Sequence, residues 1–508
     1  MSEEEILEEY KDNTLPDNIT GHPKGLYSLF FTEMWERFSY YGMRALLTLY
    51  LTAELINGGF GMDRAASLKI YGIFTGLVYL TPIIGGWFAD KVIGQRKSIF
   101  IGAFTMAVGQ FLLAASGIQS LDAEGMRLTL FYLGLGTLIL GNGFFKPNIS
   151  TIVGDLYDND DPRKDGGFTI FYMGINIGAF LSPFVAGTLG EKVGWPWGFF
   201  AAGVGMLVGT IWFYARRSTL DGLGLPPNRK EGQTELIRKD WMDIVLYTII
   251  NFIVVLFVIK GIGNLPDTIQ TIITWVIGLG GLLFLIMSIF KGTEGKTEWS
   301  RVFVILVLAM FNIVFWAGFE QAGGTFNLFA AENTNRMLGS WEIPVTWFQN
   351  INPIAIVIFA PLFSMLWIKL SSLKKNPRTP LKFVIGLLLG AIAFYIMTMA
   401  SDLAADGTLI SPMWLVAVYV VLTLGELMLS PIGLSMITKL SPSKITSIMM
   451  GVWMASFALG NYLAATLESI LETYQFELYP FITYLMLGSA VVLLLLSPIL
   501  NRLMKGIH

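Results

Sequence analysis

Within the stretch FFTEMWERFSYYGMRALL, four charged residues interrupt an otherwise apolar run: Glu33, Glu36, Arg37 and Arg44. On a helix turning about 100° per residue, Glu33, Arg37, Tyr40 and Arg44 fall within about 60° of one another, flanked by Glu36 and Tyr41. Two carboxylates beside a guanidinium make a proton acceptor. Protonating one glutamate weakens its hold on Arg37 and frees that cation for another anion. The same stripe also suits a neutralised network that only locks helices together. Other charges interrupt apolar runs further along: Lys146 in GNGFFKPN, Glu320 in FWAGFEQAGG, Glu426 in LTLGELMLSP, and Glu468 near the end of its run. Pro147 removes a backbone donor beside Lys146 and leaves carbonyls unpaired nearby.

The elements holding these charges are set by composition. Of 508 residues, 54% are hydrophobic and only 14% are Asp, Glu, Lys or Arg, against about 25% in soluble domains. The apolar residues fall in runs of about 20, the length that crosses a hydrocarbon core of roughly 30 Å. A charged side chain at the centre of such a core costs about 2.5–3.5 kcal/mol on insertion scales, so it faces a cavity and a partner. With no cysteine there is no disulfide or thiolate chemistry. A net charge of −3 without a basic domain gives no basis for binding nucleic acid. No cofactor, metal site, catalytic residue or obligatory protein partner is expected. The acidic start MSEEEILEEY lacks the basic and apolar regions of a cleaved signal peptide.

Hydropathy predicts an all-α integral membrane fold of fourteen spans. Six come first: Gly25–Ala53, Ala65–Ala89, Ser98–Gly117, Leu128–Asn148, Phe168–Leu189 and Trp197–Tyr214. An extra pair follows at Ile244–Ile259 and Thr268–Phe290. The last six are Arg301–Ala330, Trp347–Leu370, Leu381–Ala400, Pro412–Met436, Ser447–Leu471 and Pro480–Leu503. The corresponding organisation is a tail (1–24), a six-helix bundle (25–216), a linker (217–242), the extra pair (243–291), a second linker (292–300), a second bundle (301–504) and a tail (505–508). Lys and Arg crowd alternate connectors such as KVIGQRK, KLSSLKKNPRTPLK and NRLMKGIH, which places both termini in the cytoplasm. Two parallel halves around a midplane cavity are the major-facilitator arrangement, in which rocking of one half gives alternating access. The loop GGWFADKVIGQRKS resembles that superfamily's G-x-x-x-D-K/R-x-G-R/K-R/K motif. Gly86 is expected to allow close packing, and Asp90 to cap or pair with Arg96 and Lys97.

The halves carry opposite charge. Arg37, Arg44 and Lys146 belong to the first, Glu320 and Glu426 to the second. A zwitterion with a carboxylate at one end and an ammonium at the other would lie across such a cavity in one orientation. Tyr79, Tyr172, Trp316 and Trp453 are candidates to line side-chain pockets, although such a residue taken singly is more often a packing residue or an interfacial anchor.

At these residues the chain resembles the proton-dependent oligopeptide transporters. EMWERFSYYG, Glu33 to Gly42, matches their E-x-x-E-R-F-x-Y-Y-G motif. FYMGINIGAF, Phe171 to Phe180, is similar to their F-Y-x-x-I-N-x-G-S-L signature, departing at Ala179 and Phe180. GNGFFKPN, FWAGFEQ and GELMLSPIGLS look like family segments. The resemblance implies a symporter in the cell inner membrane that imports di- and tripeptides with protons. It assigns Glu33, Glu36 and Arg37 to proton coupling, with Glu320 a second protonatable group. Arg44 and Lys146 would take the peptide carboxylate, helped by Tyr40, Tyr41 and Tyr79. Asn176, Glu426 and Asn352, preferred to Asn350 because it precedes Pro353, would hold the amine. Tyr172, Trp316 and Trp453 would shape side-chain pockets. Lys146 and Glu426 would pair when the site is empty, and Arg64 with Glu332 would close the outer mouth. Mammalian members carry a histidine in the second helix, whereas the only histidines here are His22 and His508, so proton binding falls to carboxylates.

Competing readings are weaker. No H-E-x-x-H or G-x-S-x-G segment supports zincin or hydrolase chemistry. A channel would line one continuous pore rather than divide charge between halves. The nearer alternative is a related carrier of nitrate or an amino-acid-like solute, which would make different use of Glu426.

Overall fold

A computed structural model describes the chain outside residues 1–20, 122–124, 159–160, 162, 288, 443–444 and 505–508, and outside 227–285 apart from three isolated positions. The predicted extra helix pair and most of the linker before it lie outside the described residues. The described residues are mostly helical. In the first half run α1 (Lys24–Thr52), α2 (Arg64–Phe88), α3 (Gln95–Ser116), α4 (Met126–Asp155), α5 (Lys164–Ser182) and α6 (Trp195–Arg216). In the second run α7 (Gly295–Phe319), α8 (Ile351–Ser372), α9 (Thr379–Ala404), α10 (Met413–Leu440), α11 (Thr446–Thr473) and α12 (Leu478–Leu503). These ranges overlie the predicted spans, but α4 runs on to Asp155 rather than ending at Asn148, α5 stops at Ser182 rather than Leu189, and α7 starts at Gly295 rather than Arg301 and breaks before Ala330. A 3₁₀ turn at Glu320–Gly323 separates it from a nine-residue helix, Thr325–Asn333. Ten helices among the described residues are long and apolar enough to cross a bilayer; α1, which carries the charged stripe, and α2 are not among the ten.

Two compact units emerge, one comprising Met1–Leu46 and Thr81–Phe257, the other Leu47–Leu80 and Val258–His508. In lipid the hydrophobic effect does not drive helices together, so close packing at small residues does. The first unit shows this throughout. A side chain on Gly85 would strike the backbone of Gly143, and one on Gly86 would come within 3.3 Å of Pro147, so α2 crosses α4 at both positions. Gly174, Gly178, Gly205 and Gly209 bring α5 and α6 against the backbone and aromatic side chains of α1. Arg96, at the start of α3, donates from its backbone to Gly224 O at 3.0 Å and from its guanidinium to the Asp221 carbonyl. The side chain of Asp90 lies outside those described.

In the second unit, α2 runs along α11. Gly72 lies against Ala465 with no room for a side chain, and Gly76 faces the carbonyl of Ala458. Helix α7 is fastened to α11 by Asn312 Nδ2 donating to Ser456 Oγ at 2.8 Å, and by Gln321 Nε2 donating to Ala464 O at 2.9 Å. Gly460 lets the backbones approach beside Trp316. A short hairpin, Met337–Leu338 with Trp341–Glu342, turns at Gly339, whose φ of 66° favours glycine.

Candidate functional site

The stripe on α1 is buried in full. Glu33 and Glu36 are 0% exposed and Arg37 and Arg44 7%, in a helix whose neighbours present glycines and so leave room for long side chains. Arg37 binds both carboxylates: its Nη2 donates to Glu36 Oε1 at 2.6 Å, its Nε donates to Glu36 Oε2, and the same Nε stands 3.3 Å from Glu33 Oε1. From α4, Lys146 Nζ donates to that Glu33 oxygen at 2.6 Å. Two acids and two bases thus form one neutral quartet. Glu33 Oε1 is shared by two cations, while Glu33 Oε2 is buried with no hydrogen-bond partner among the described residues. Tyr40 and Tyr41 face the same cations: the Arg37 guanidinium lies 5.1 and 5.8 Å from their ring centres, and that of Arg44 lies 5.9 Å from Tyr41. Ring faces attract guanidinium without neutralising it.

The foot of α1 is fastened separately. His22 Nδ1 and the Tyr157 hydroxyl, at the end of α4, lie 2.8 Å apart, with rings edge to face. Arg163 chelates Asp161 and donates to Gly21 O at 2.9 Å. Burial, then the charge of Arg163, pushes the His22 imidazole below its ordinary pKa, against the opposing pull of Asp161. Hydrogen bonds from Arg163 hold Asp161 below the usual carboxylate range.

The second unit contains the other predicted residues. Asn352 Nδ2 donates to Glu426 Oε2 at 2.8 Å and to Thr423 Oγ1 at 2.9 Å, so α8 presents an amide to the α10 carboxylate. Asn350 sits in the preceding 3₁₀ turn, 1% exposed, with neither amide atom hydrogen-bonded among the described residues. Glu320 is 2% exposed at the break in α7. Trp316 is nearly buried and Trp453 wholly so, packed under Gly433 and against Phe383. Tyr79 stacks on Phe457 of α11 with ring centres 6.1 Å apart. On α5, Asn176 bonds back to Tyr172 O at 2.9 Å, and Tyr172 is 49% exposed.

Arg64, at the start of α2, meets two carboxylates. Its Nε donates to Glu468 Oε1 at 2.8 Å and its Nη1 to Glu332 Oε2 at 3.2 Å. The Glu468 side chain is 16% exposed and that of Glu332 57%, so the closer and better shielded partner is Glu468, which the sequence marked only as a charge near the end of its run. Beside the cluster lies a cavity of 450 Å³ lined by Arg64, Asp402, Glu468, Glu472, Glu477 and Tyr479, among others.

Long helices crossing a bilayer, with paired charges buried between them, define an all-helical membrane carrier rather than an enzyme. Its fold is of the major-facilitator type. A crystal structure described as peptide transporter POT in complex with sulfate superposes with a TM-score of 0.84 at 35% identity, over 98% of this chain and 99% of that one. The POT family model matches residues 96–483, and the chain belongs to that family. It is similar to an uncharacterized transporter, YclF, of Bacillus subtilis (41% identical, 96% of each chain) and to the peptide transporter YePEPT of Yersinia enterocolitica (37%, 96% of each).

Proposed function

We propose that the protein imports di- and tripeptides together with protons across the cell inner membrane by alternating access, with both termini in the cytoplasm. The observation that carries this reading is the charge-balanced quartet of Glu33, Glu36 and Arg37, all three buried, with the partly exposed Lys146. A proton on either glutamate leaves the quartet one positive charge in excess, in a medium where an uncompensated charge is expensive. A peptide carboxylate restores the balance, so proton and peptide bind better together than apart. Glu33 Oε2, buried and without a hydrogen-bond partner among the described residues, is a ready position for the proton.

The remaining roles follow the same chemistry. Arg44 and Lys146 take the carboxylate, with Tyr40, Tyr41 and Tyr79 around it. Glu426, oriented by Asn352, takes the ammonium, with Asn176 assisting. Glu320 is a second protonatable group at the break in α7. Tyr172, Trp316 and Trp453 belong to side-chain pockets, and Arg64 with Glu332 and Glu468 closes the outer mouth. Residues 25–216 and 301–504 are the two six-helix bundles, with 243–291 inserted between them and 1–24, 217–242, 292–300 and 505–508 on the cytoplasmic face. Support for a peptide cargo comes from the similarity to YePEPT and to the POT structure over nearly the whole chain.

The test is transport in proteoliposomes under an inward proton gradient. Labelled dialanine should accumulate, with tripeptides competing and free alanine, tetrapeptides and nitrate failing to compete. Competition by nitrate with none by tripeptides would assign the scaffold to another solute.

A further inference from the structure

Asn142 stands in α4 one turn before Lys146, and no role assigned above uses it. It is 2% exposed, and neither its amide nitrogen nor its carbonyl oxygen is hydrogen-bonded among the described residues. An asparagine brings two N–H donors and one acceptor oxygen, and burying them unpaired in a helix bundle surrounded by lipid is costly. Other asparagines in these spans avoid the cost. Asn148, Asn176 and Asn461 each donate from Nδ2 to the carbonyl one turn back, at 2.7, 2.9 and 2.9 Å. Asn142 does not make that bond.

Packing fixes where its amide points. A side chain on Gly141 would meet Gly102 O and Met106 of α3, and one on Gly143 would meet Thr81 of α2. At about 100° per residue, Asn142 points between these two contacts, and Lys146 lies about 40° further round. Lys146 reaches Glu33, so Asn142 faces α1 as well. Its level follows from the register of the two helices, which run in opposite directions. His22 meets Tyr157 and Glu33 meets Lys146, and equal lengths of chain separate these contacts on either side. One turn beyond Glu33, the same register sets Arg37 against Asn142.

In the quartet as it stands, Arg37 gives its donors to two carboxylates. A proton on either glutamate turns an acceptor oxygen into a donor and leaves guanidinium N–H groups over. Asn142 Oδ1 is a neutral acceptor at that level. Resting on the proton-coupled reading above, we infer that Asn142 is a positioning residue of coupling, whose carbonyl accepts an N–H of Arg37 once a neighbouring glutamate is neutralised. The proton comes from solution and stays on the glutamate; the amide neither gains nor loses one. The exchange lowers the energy of the protonated quartet and keeps the guanidinium in place for the cargo's carboxylate. Few other groups can set this balance. Helix α1 brings Glu33, Glu36, Arg37, Arg44 and the phenols of Tyr40 and Tyr41, and α4 brings Lys146. Residues 81–88 of α2, 98–116 of α3, 166–182 of α5 and 195–213 of α6 include no charged side chain, and Tyr172 is their one phenol.

The experiment measures dialanine uptake into proteoliposomes against external pH for the native protein, Asn142→Leu and Asn142→Asp, with melting temperatures in detergent. Asn142→Leu keeps the branched shape and removes the acceptor, so the pH midpoint of uptake should move about one unit toward acid, a tenfold loss of proton affinity. Its melting temperature should hold or rise, because an unpaired buried amide is exchanged for an apolar group. Asn142→Asp puts an anion where it draws Arg37 from the glutamates, so the midpoint should move toward alkaline pH. Midpoints unmoved within about 0.3 unit, or shifted the same way in both variants, would overturn the inference. So would uptake by Asn142→Leu that falls equally at every pH along with its melting temperature, which would leave Asn142 a packing residue. The aspartate variant decides alone if Asn142→Leu does not fold, an acid shift or none counting against the inference. Native uptake indifferent to pH would fell the proton-coupled reading first, before any variant is measured.

Discussion

The α1–α4 contact and the α2–α11 seam solve the same problem, holding helices together in oil, by opposite means. In the first, four full charges form one matched set, three of them buried and Lys146 partly exposed. In the second, small residues and stacked rings bring backbones together, and charge appears only at the far end, where Arg64 meets Glu468. The difference teaches where a proton has leverage. Protonation changes the energy of the ionic contact by removing one term of a balanced sum, and it leaves the seam of glycine, alanine and rings untouched. One region is built to respond, the other to persist.

Breaking the responsive region should give the largest effects. Glu33→Gln or Glu36→Gln removes the titrating carboxyl while keeping its shape, and should reduce proton-driven accumulation by about a hundredfold, with counterflow retained, as loss of a coupling energy requires. Normal accumulation in both variants would remove them from coupling. Next, Glu426→Gln removes the acid proposed to receive the cargo's ammonium. Truncating one side of a desolvated charge pair costs about 2–5 kcal/mol, so KM for dialanine should rise at least about tenfold. An unchanged KM would take Glu426 out of the site.

The persistent region is tested sterically. Gly72→Leu places a branched side chain where Ala465 leaves no room, and overpacking of this kind costs about 1–3 kcal/mol. The melting temperature in detergent should fall, with part of the loss recovered by Ala465→Gly. The smallest effect belongs to the foot of α1. With its pKa depressed in the fold, neutral His22 contributes stability that is fully present above the ordinary imidazole pKa and fades as pH falls through the lowered value. The melting temperature of the native protein should therefore drop across that acidic interval more than that of His22→Asn, which keeps a polar group near Tyr157 without titrating there.

Much of this was legible in the sequence. Charges in apolar runs stand out because lipid makes them expensive, so Glu33, Glu36, Arg37, Lys146, Glu320 and Glu426 could be read directly, and helical phase put the α1 residues on one face. Span positions followed from length and hydropathy. What stayed hidden was pairing between elements far apart in the chain. Arg64 and Glu468 are separated by 404 positions, and no local pattern says that they meet. The break in α7 was equally silent. Glycines at 323 and 324 hinted at weak helix, yet apolar residues continue on both sides, so hydropathy ran straight through.

That break has a mechanical meaning. Thr325–Asn333 is a separate stub beyond Gly324, and Glu332 sits near its tip, about 12 Å from Gly324 at 1.5 Å per residue. Its root is held by Phe326 against Phe394, Tyr419 and Tyr479, and its end by Asn333 O accepting from Ile410 N. The carboxylate that meets Arg64 is therefore borne by a short rod anchored at both ends, and its position does not depend on the straightness of α7.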